Sequence, residues 1–120
     1  MKMRNFQGAS IEQIVQEYEQ AAVAYGQALA AADHRAANRA HDRIAGAYRE
    51  LRSRAAAPHL LPLLKSENEY VRSIAAAHAL EFAPEQGEPV LQGFAARPGL
   101  QRTPAEYALK AWREGTLKFP

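Results

Sequence analysis

The chain has 120 residues, of which 15 are lysine or arginine and 13 are aspartate or glutamate, so its formal net charge is +2. This length suits one domain with a real core, and the small net charge means that the chain as a whole is not a polycation. The absence of cysteine excludes disulfides, thiolate metal sites and a cysteine nucleophile.

The chain shows no sign of a targeting or membrane segment. Lys2 and Arg4 near its start are not followed by the apolar stretch of a signal peptide. The apolar runs are short and consist mostly of alanine, far below the roughly 20 residues that span a bilayer. We therefore expect a cytoplasmic protein.

The first half of the chain predicts a long helical hairpin over residues 10–54. Ser10 and Gln13 form a capping-box pattern in front of apolar residues spaced by three and four, from Ile11 to Leu29. A break near Asp33 separates this helix from a second one, which ends near Arg54. Because the first helix is locally acidic and the second is arginine-rich, their charges favour pairing.

The second half predicts two shorter hairpins, over residues 57–83 and 85–115. A short helix opens at Pro58, and Ser66 with Glu69 forms a capping pair for a helix that runs to about Phe82. The segment "EPVLQGFAA" repeats the layout of "PHLLPLLK". Thr103 is the predicted cap of a last helix, which ends near Gly115.

The predicted helices share an internal repeat with a period of 32 residues. The pattern is a small or apolar residue, a small residue and a large residue. Its three copies are Ile44, Ala47 and Tyr48; Ala76, Ala79 and Leu80; and Ala108, Ala111 and Trp112. Each copy follows a partner helix across a turn, as in an α-solenoid.

The stretch "LLPLLKSENEYVRSIAAAHAL" resembles the HEAT-repeat consensus, with a leucine pair before the turn and Val71, Arg72 and Leu80 in the second helix. The whole chain resembles a small bacterial family of uncharacterised HEAT-like proteins, through "AANRAHDRI", "YRELR" and "ALKAWREG". The resemblance implies an all-α fold, a short HEAT-like superhelix of about six helices in three stacked hairpins, in a single domain. Helical-repeat proteins of this size often serve as immunity proteins beside secreted toxins.

Several charged residues have both a structural and a functional interpretation. Arg72 either forms an ion pair that fixes the turn between repeats, with Glu69 as the nearest partner, or contacts a ligand. Arg35, Arg39 and Arg43 recur every fourth residue and either track phosphates or pair with the acidic first helix. We favour the structural interpretation in both cases.

The sequence lacks the patterns of an active site or metal centre. His34 and His41 lie seven residues apart, about 10 Å along a helix, which is too far to share an ion without another ligand between them. His78 shares a stripe with apolar residues and is expected to be a core histidine. No phosphate loop, nucleophile elbow or paired-carboxylate pattern appears. We expect neither enzyme activity nor a cofactor.

The leading functional hypothesis is a non-enzymatic protein-binding module, an immunity protein that binds and neutralises a bacterial toxin. The alternatives are a nucleic-acid-binding protein that uses the arginine-rich second helix, and a structural subunit of a homo-oligomer; the oligomeric state stays open. Trp112 is interpreted as a cap on the end of the core, with an anchor for a partner as the alternative. The expected partner-binding residues are Arg35, Arg39, Glu69, Tyr70, Arg72 and Arg113.

Overall fold

The computed structural model describes residues 6–120. In this range the chain forms six helices and no strand, and neighbouring helices pack as pairs, which confirms the predicted all-α class. The helices are α1 (Ile11–Ala30), α2 (His34–Ser53), a 3₁₀ helix (Ala57–Lys65), α3 (Glu69–Phe82), α4 (Pro84–Ala95) and α5 (Arg102–Glu114).

The chain divides into two units. Unit 1 runs to His59 and includes Pro120, and unit 2 is Leu60–Phe119, so the 3₁₀ helix crosses the boundary. In unit 1, α1 packs on α2. In unit 2, α3 packs on α4, and α5 packs on both.

Helix α1 and helix α2 begin where the sequence predicts. Ser10 Oγ accepts a hydrogen bond from the Gln13 amide at 3.1 Å, while Gln13 Oε1 accepts one from the Ser10 amide at 2.8 Å. Asp33 Oδ1 accepts a hydrogen bond from the Ala36 amide at 3.0 Å and so caps α2. These side chains satisfy amides that the first turn of a helix leaves without partners.

The core of unit 1 contains two tyrosines, Tyr18 and Tyr48, which are both fully buried. Burial raises the pKa of the Tyr18 hydroxyl well above its ordinary value, and the neighbouring Tyr48 raises it further. Since a buried phenolate is costly, the folded protein strongly favours the neutral form.

In unit 2 both predictions of a capping residue are wrong, Ser66 for α3 and Thr103 for α5. Helix α3 is capped by Asn68, whose Oδ1 accepts hydrogen bonds from the Tyr70 amide at 2.9 Å and the Val71 amide at 3.1 Å. Ser66 stands two residues too early and its Oγ accepts a hydrogen bond from the Asn68 amide instead. Helix α5 already begins at Arg102, without a side-chain cap, so Thr103 lies inside it.

The predicted ends of the helices in unit 2 agree with the structure. Helix α3 ends at Phe82, and Pro84 occupies the first turn of α4, where a missing N–H costs little. Gly115 ends α5 with a left-handed φ of 76°. The two segments with the same layout in the sequence differ, because "PHLLPLLK" forms a 3₁₀ helix and "EPVLQGFAA" forms most of an α-helix.

Gly87 lets α3 and α4 approach closely. A Cβ atom at this position would lie 2.6 Å from the Ala76 carbonyl oxygen and 3.1 Å from the Ala79 Cβ. The two helices therefore meet backbone to backbone at this level. The buried core that follows contains Leu80, Leu91, Phe94 and Leu109, and half-buried Trp112 packs against it, as the packing interpretation of Trp112 expects.

We predict opposite effects for alanine at two glycines of α4. Gly87→Ala forces the backbones of α3 and α4 apart and should lower the free energy of unfolding by about 1 to 3 kcal/mol. The methyl group added by Gly93→Ala meets nothing within 4 Å. This variant should raise the free energy of unfolding by about 0.5 to 1 kcal/mol, because glycine is a poor helix former. Urea unfolding followed by circular dichroism measures both, and a Gly87→Ala protein as stable as native would contradict the close approach.

We also predict a loss of stability at alkaline pH. An unfolded tyrosine ionises near pH 10, whereas the raised pKa of Tyr18 keeps it neutral in the fold. The stability from Tyr18 is therefore complete below about pH 10 and falls as the pH rises above it. Urea midpoints at pH 9 and 11 should fall less for Tyr18→Phe than for native protein. Exposed Tyr107→Phe is the control and should follow native protein.

Candidate functional site

The expected partner-binding residues lie in both units. In unit 1, Arg35 and Arg39 are exposed on the first half of α2. In unit 2, three of them occupy the first turn of α3 and Arg113 lies in the last turn of α5. Whether they bind a partner stays a prediction.

Arg43 has the structural role that the sequence predicts. Its Nε donates a hydrogen bond to Glu17 Oε2 at 2.7 Å and its Nη2 donates to Glu17 Oε1 at 3.0 Å, which joins α2 to α1. Glu17 is 8% exposed. The hydrogen bond to Glu17 raises the pKa of Arg43, so the guanidinium stays charged.

The arginine at the end of α2 is also engaged within unit 1. Arg54 Nε donates to Glu50 Oε2 at 2.8 Å, and its two Nη atoms donate to the carbonyl oxygens of Phe6 and Ala9. Arg54 thus ties the segment before α1 to the end of α2. Arg35 and Arg39, by contrast, are exposed to solvent.

Arg72 fixes the turn before α3, but not through the predicted ion pair with Glu69. Its Nη1 donates a hydrogen bond to the Ser66 carbonyl oxygen at 2.6 Å, and its guanidinium carbon lies 5.1 Å from the centre of the Phe94 ring. Glu69 instead accepts a hydrogen bond from Arg97 at 3.0 Å. The difference arises because Arg97, just past the end of α4, reaches Glu69 across the packed helices.

The aromatic ring of Phe94 lies next to two guanidinium groups, those of Arg72 and Arg97. The guanidinium carbon of Arg97 lies 4.7 Å from the ring centre, close to the 5.1 Å of Arg72. Arginine above an aromatic ring is stabilised by the ring quadrupole, and each guanidinium is also held by a hydrogen bond to oxygen. Both side chains thus combine a ring contact with a hydrogen bond at the surface of unit 2, and the Arg97–Glu69 pair is half exposed. No sequence pattern pointed to Phe94 or Arg97.

Beside this pair lies a small cleft of about 210 Å³, which we call the arginine cleft. Its walls carry two cations and no carboxylate. It is lined by Arg72, Pro89, Val90, Gly93, Phe94 and Arg97. A signal for it in the sequence was Gly93, a glycine inside a helix that no packing contact requires.

The remaining expected residues of unit 2 are partly engaged. Arg113 donates a hydrogen bond to Glu88 Oε2 at 3.1 Å, which joins α5 to α4 at the surface. Tyr70 is half-buried. Because the Arg113 side chain is half exposed, the Arg113–Glu88 pair contributes little to stability.

Two large apolar side chains in unit 2 are exposed. Leu100, in the turn before α5, is 69% exposed, and Tyr107, in α5, is 71% exposed. The apolar spacing of α5 places Tyr107 close to Trp112 along the sequence, where both core packing and a partner anchor were open interpretations. No sequence pattern pointed to Leu100.

The histidine and carboxylate side chains of the described residues form no metal-binding cluster. His78 is buried, as expected for a core histidine, and its ring centre lies 4.5 Å from that of Phe119. Within residues 6–120, no three histidine or carboxylate side chains come close enough together to hold a metal ion. None of the helices in that range combines the length and the apolar character that crossing a membrane requires.

Comparison with known proteins shows the fold alone. No family model and no curated protein matches the sequence. The crystal structure of the protein RPA1889 from Rhodopseudomonas palustris is similar, with a TM-score of 0.88 over 97% of this chain and 98% of that one. The two sequences are 24% identical, so the similarity supports the architecture without assigning a function.

We predict that the Glu17–Arg43 pair matters more to stability than the exposed arginines of the same helix. Arg43→Met leaves the Glu17 carboxylate buried without its cation and should cost about 1 to 3 kcal/mol of unfolding free energy. Arg39→Met removes an equal charge from an exposed position and should change it by less than about 0.5 kcal/mol. Urea unfolding distinguishes them, and equal effects would show that the pair has no special role.

Proposed function

We propose that the protein is a non-enzymatic protein-binding module, and specifically an immunity protein that binds and neutralises a bacterial toxin. The observation that carries the proposal is the exposure of Leu100 and Tyr107 in unit 2. Large apolar side chains that face water are the residues that a protein partner buries.

The surroundings of these two residues support a protein partner. Arg97 lies three residues before Leu100, stacked on Phe94 and paired with Glu69. Aromatic and arginine side chains are enriched in protein interfaces, and a side chain that is already fixed loses less entropy on binding. Unit 2 therefore presents two exposed apolar side chains, one of which follows a paired arginine by three residues.

We further propose that the hairpins are HEAT-like repeats in one domain and that the protein works in the cytoplasm. The resemblance of "LLPLLKSENEYVRSIAAAHAL" to the HEAT consensus supports the first point. The lack of cysteine is in keeping with a reducing compartment. Small helical-repeat proteins often oppose toxins, which supports the immunity role.

The nucleic-acid-binding alternative has less support from the described side chains. Arg43 is held by Glu17, and Arg54 is held by Glu50 and two carbonyl oxygens. Phosphate binding requires arginines that are available to the backbone of the nucleic acid. Two arginines, Arg43 and Arg54, thus already have hydrogen-bond partners within unit 1.

The proposal predicts protection against a toxin encoded by a neighbouring gene. Coexpression of this chain should restore growth of cells that make the toxin, and the two proteins should purify as a stoichiometric complex. Replacing both Leu100 and Tyr107 by serine should weaken the complex by at least about tenfold, because both anchors are lost.

Gln86→Ser is the matched control, since Gln86 is an exposed residue of α4 outside this surface. It should leave both growth and complex unchanged. A complex that tolerates the double serine variant would place the interface elsewhere. Absence of any protection would contradict the immunity role, and turnover of a substrate by the purified chain would contradict a non-enzymatic module.

A further inference from the structure

The arginine cleft carries more positive charge than its surroundings neutralise. Two guanidiniums, those of Arg72 and Arg97, line the cleft, and only Arg97 pairs with a carboxylate, that of Glu69. Glu69 pairs with Arg97 and lies outside the cleft lining. Arg72 has only the Ser66 carbonyl oxygen as a hydrogen-bond acceptor. The cleft thus retains one unbalanced cation.

Arg72 is arranged to donate further hydrogen bonds. A guanidinium has five N–H donors in a planar fork, and the bond to Ser66 uses only its Nη1 side. The group contacts the ring of Phe94, a residue that is 3% exposed, and its Nη1 is held by the Ser66 carbonyl oxygen. A carboxylate is the partner that matches such a fork with two parallel hydrogen bonds.

Residue 93, which lines the arginine cleft, is a glycine that packing does not require. A Cβ atom there would meet nothing within 4 Å. Glycine is a poor helix former, so its place inside α4 breaks a local rule without a packing reason. Such an exception is expected at a functional position, where the missing side chain leaves room for a ligand.

The size and lining of the cleft fit one kind of occupant. Its volume of about 210 Å³ is below the roughly 300 to 1,000 Å³ of ordinary small-molecule pockets. Pro89 and Val90 give it an apolar wall next to the two cations. A short aliphatic stem that ends in a carboxylate matches both surfaces, whereas a phosphate lacks the stem.

We propose that the arginine cleft binds an aspartate or glutamate side chain of the protein partner. This inference rests on the proposed protein-binding function and adds the chemistry of the residue recognised. The carboxylate accepts hydrogen bonds from Arg72 and Arg97, and its stem lies over Gly93. The apolar anchors Leu100 and Tyr107 supply contact area elsewhere in unit 2.

The test is a titration of the full chain with capped peptides, followed by the backbone amide signals of Gly93 and Phe94 in NMR spectra. The peptide acetyl-Ala-Glu-Leu-Ala-amide should shift these signals saturably. The same peptide with glutamine in place of glutamate should bind about tenfold more weakly, because the charge-assisted hydrogen bonds are lost. Inorganic phosphate is titrated in parallel.

Three variants locate the binding. Gly93→Leu should abolish the shifts, since Gly93 lines the cleft and the added side chain occupies space there, while its Cβ atom meets nothing within 4 Å. Arg72→Gln should weaken binding about tenfold. Arg49→Gln, which removes an exposed arginine of α2, should leave it unchanged. If Arg72→Gln fails to fold, Gly93→Leu alone decides.

Equal binding of the glutamate and glutamine peptides, or no saturable shift, would overturn the proposal. Tighter binding of phosphate than of the glutamate peptide would also overturn it and indicate a phosphorylated partner or a nucleic acid. Because the titration uses no toxin, its failure leaves the growth experiment valid. Loss of growth protection with intact peptide binding would contradict the immunity role instead.

Discussion

The close approach of α3 and α4 at Gly87 is the constraint on which unit 2 depends. A side chain of any size at this position would meet the Ala76 carbonyl oxygen, so the helix spacing is set by backbone contact and small residues. Such contact leaves little freedom for one helix to shift on the other. Near the C-terminal end of α4, the same helix spacing places the Phe94 ring beside the Arg72 guanidinium. It also places Arg97, just past α4, within hydrogen-bond distance of Glu69.

The packing of α3 on α4 therefore places one aromatic core residue, Phe94, next to two charged surface side chains. Phe94 belongs to the buried cluster of unit 2, yet its ring face supports two guanidiniums. Glu69 pairs with Arg97, and Arg72 has only the Ser66 carbonyl oxygen as a hydrogen-bond acceptor. A surface cation with a settled orientation loses little entropy when it binds a partner, which is the physical basis of the proposed recognition.

The sequence predicts local structure well and contacts between distant residues poorly. Ser10, Asp33 and Gly115 mark helix ends correctly because capping depends on neighbours within one turn, whereas Ser66 lies two residues before the actual cap of α3 and Thr103 lies one residue inside α5. The pairing of Arg43 with α1 was accessible from the opposite charges of the two helices. The Arg97–Glu69 pair was not, since the two residues are 28 positions apart and meet only through the packing of α3 on α4.

The central claim is that helix packing holds Arg72 and Arg97 on the Phe94 ring. The proton NMR shifts of their δ-methylene groups test it directly, because protons above an aromatic ring move upfield. We predict upfield shifts for both arginines relative to exposed Arg49, and a smaller shift for Arg72 in Gly87→Ala protein, where the helices are forced apart. Shifts equal to those of Arg49 in the native protein would contradict the account.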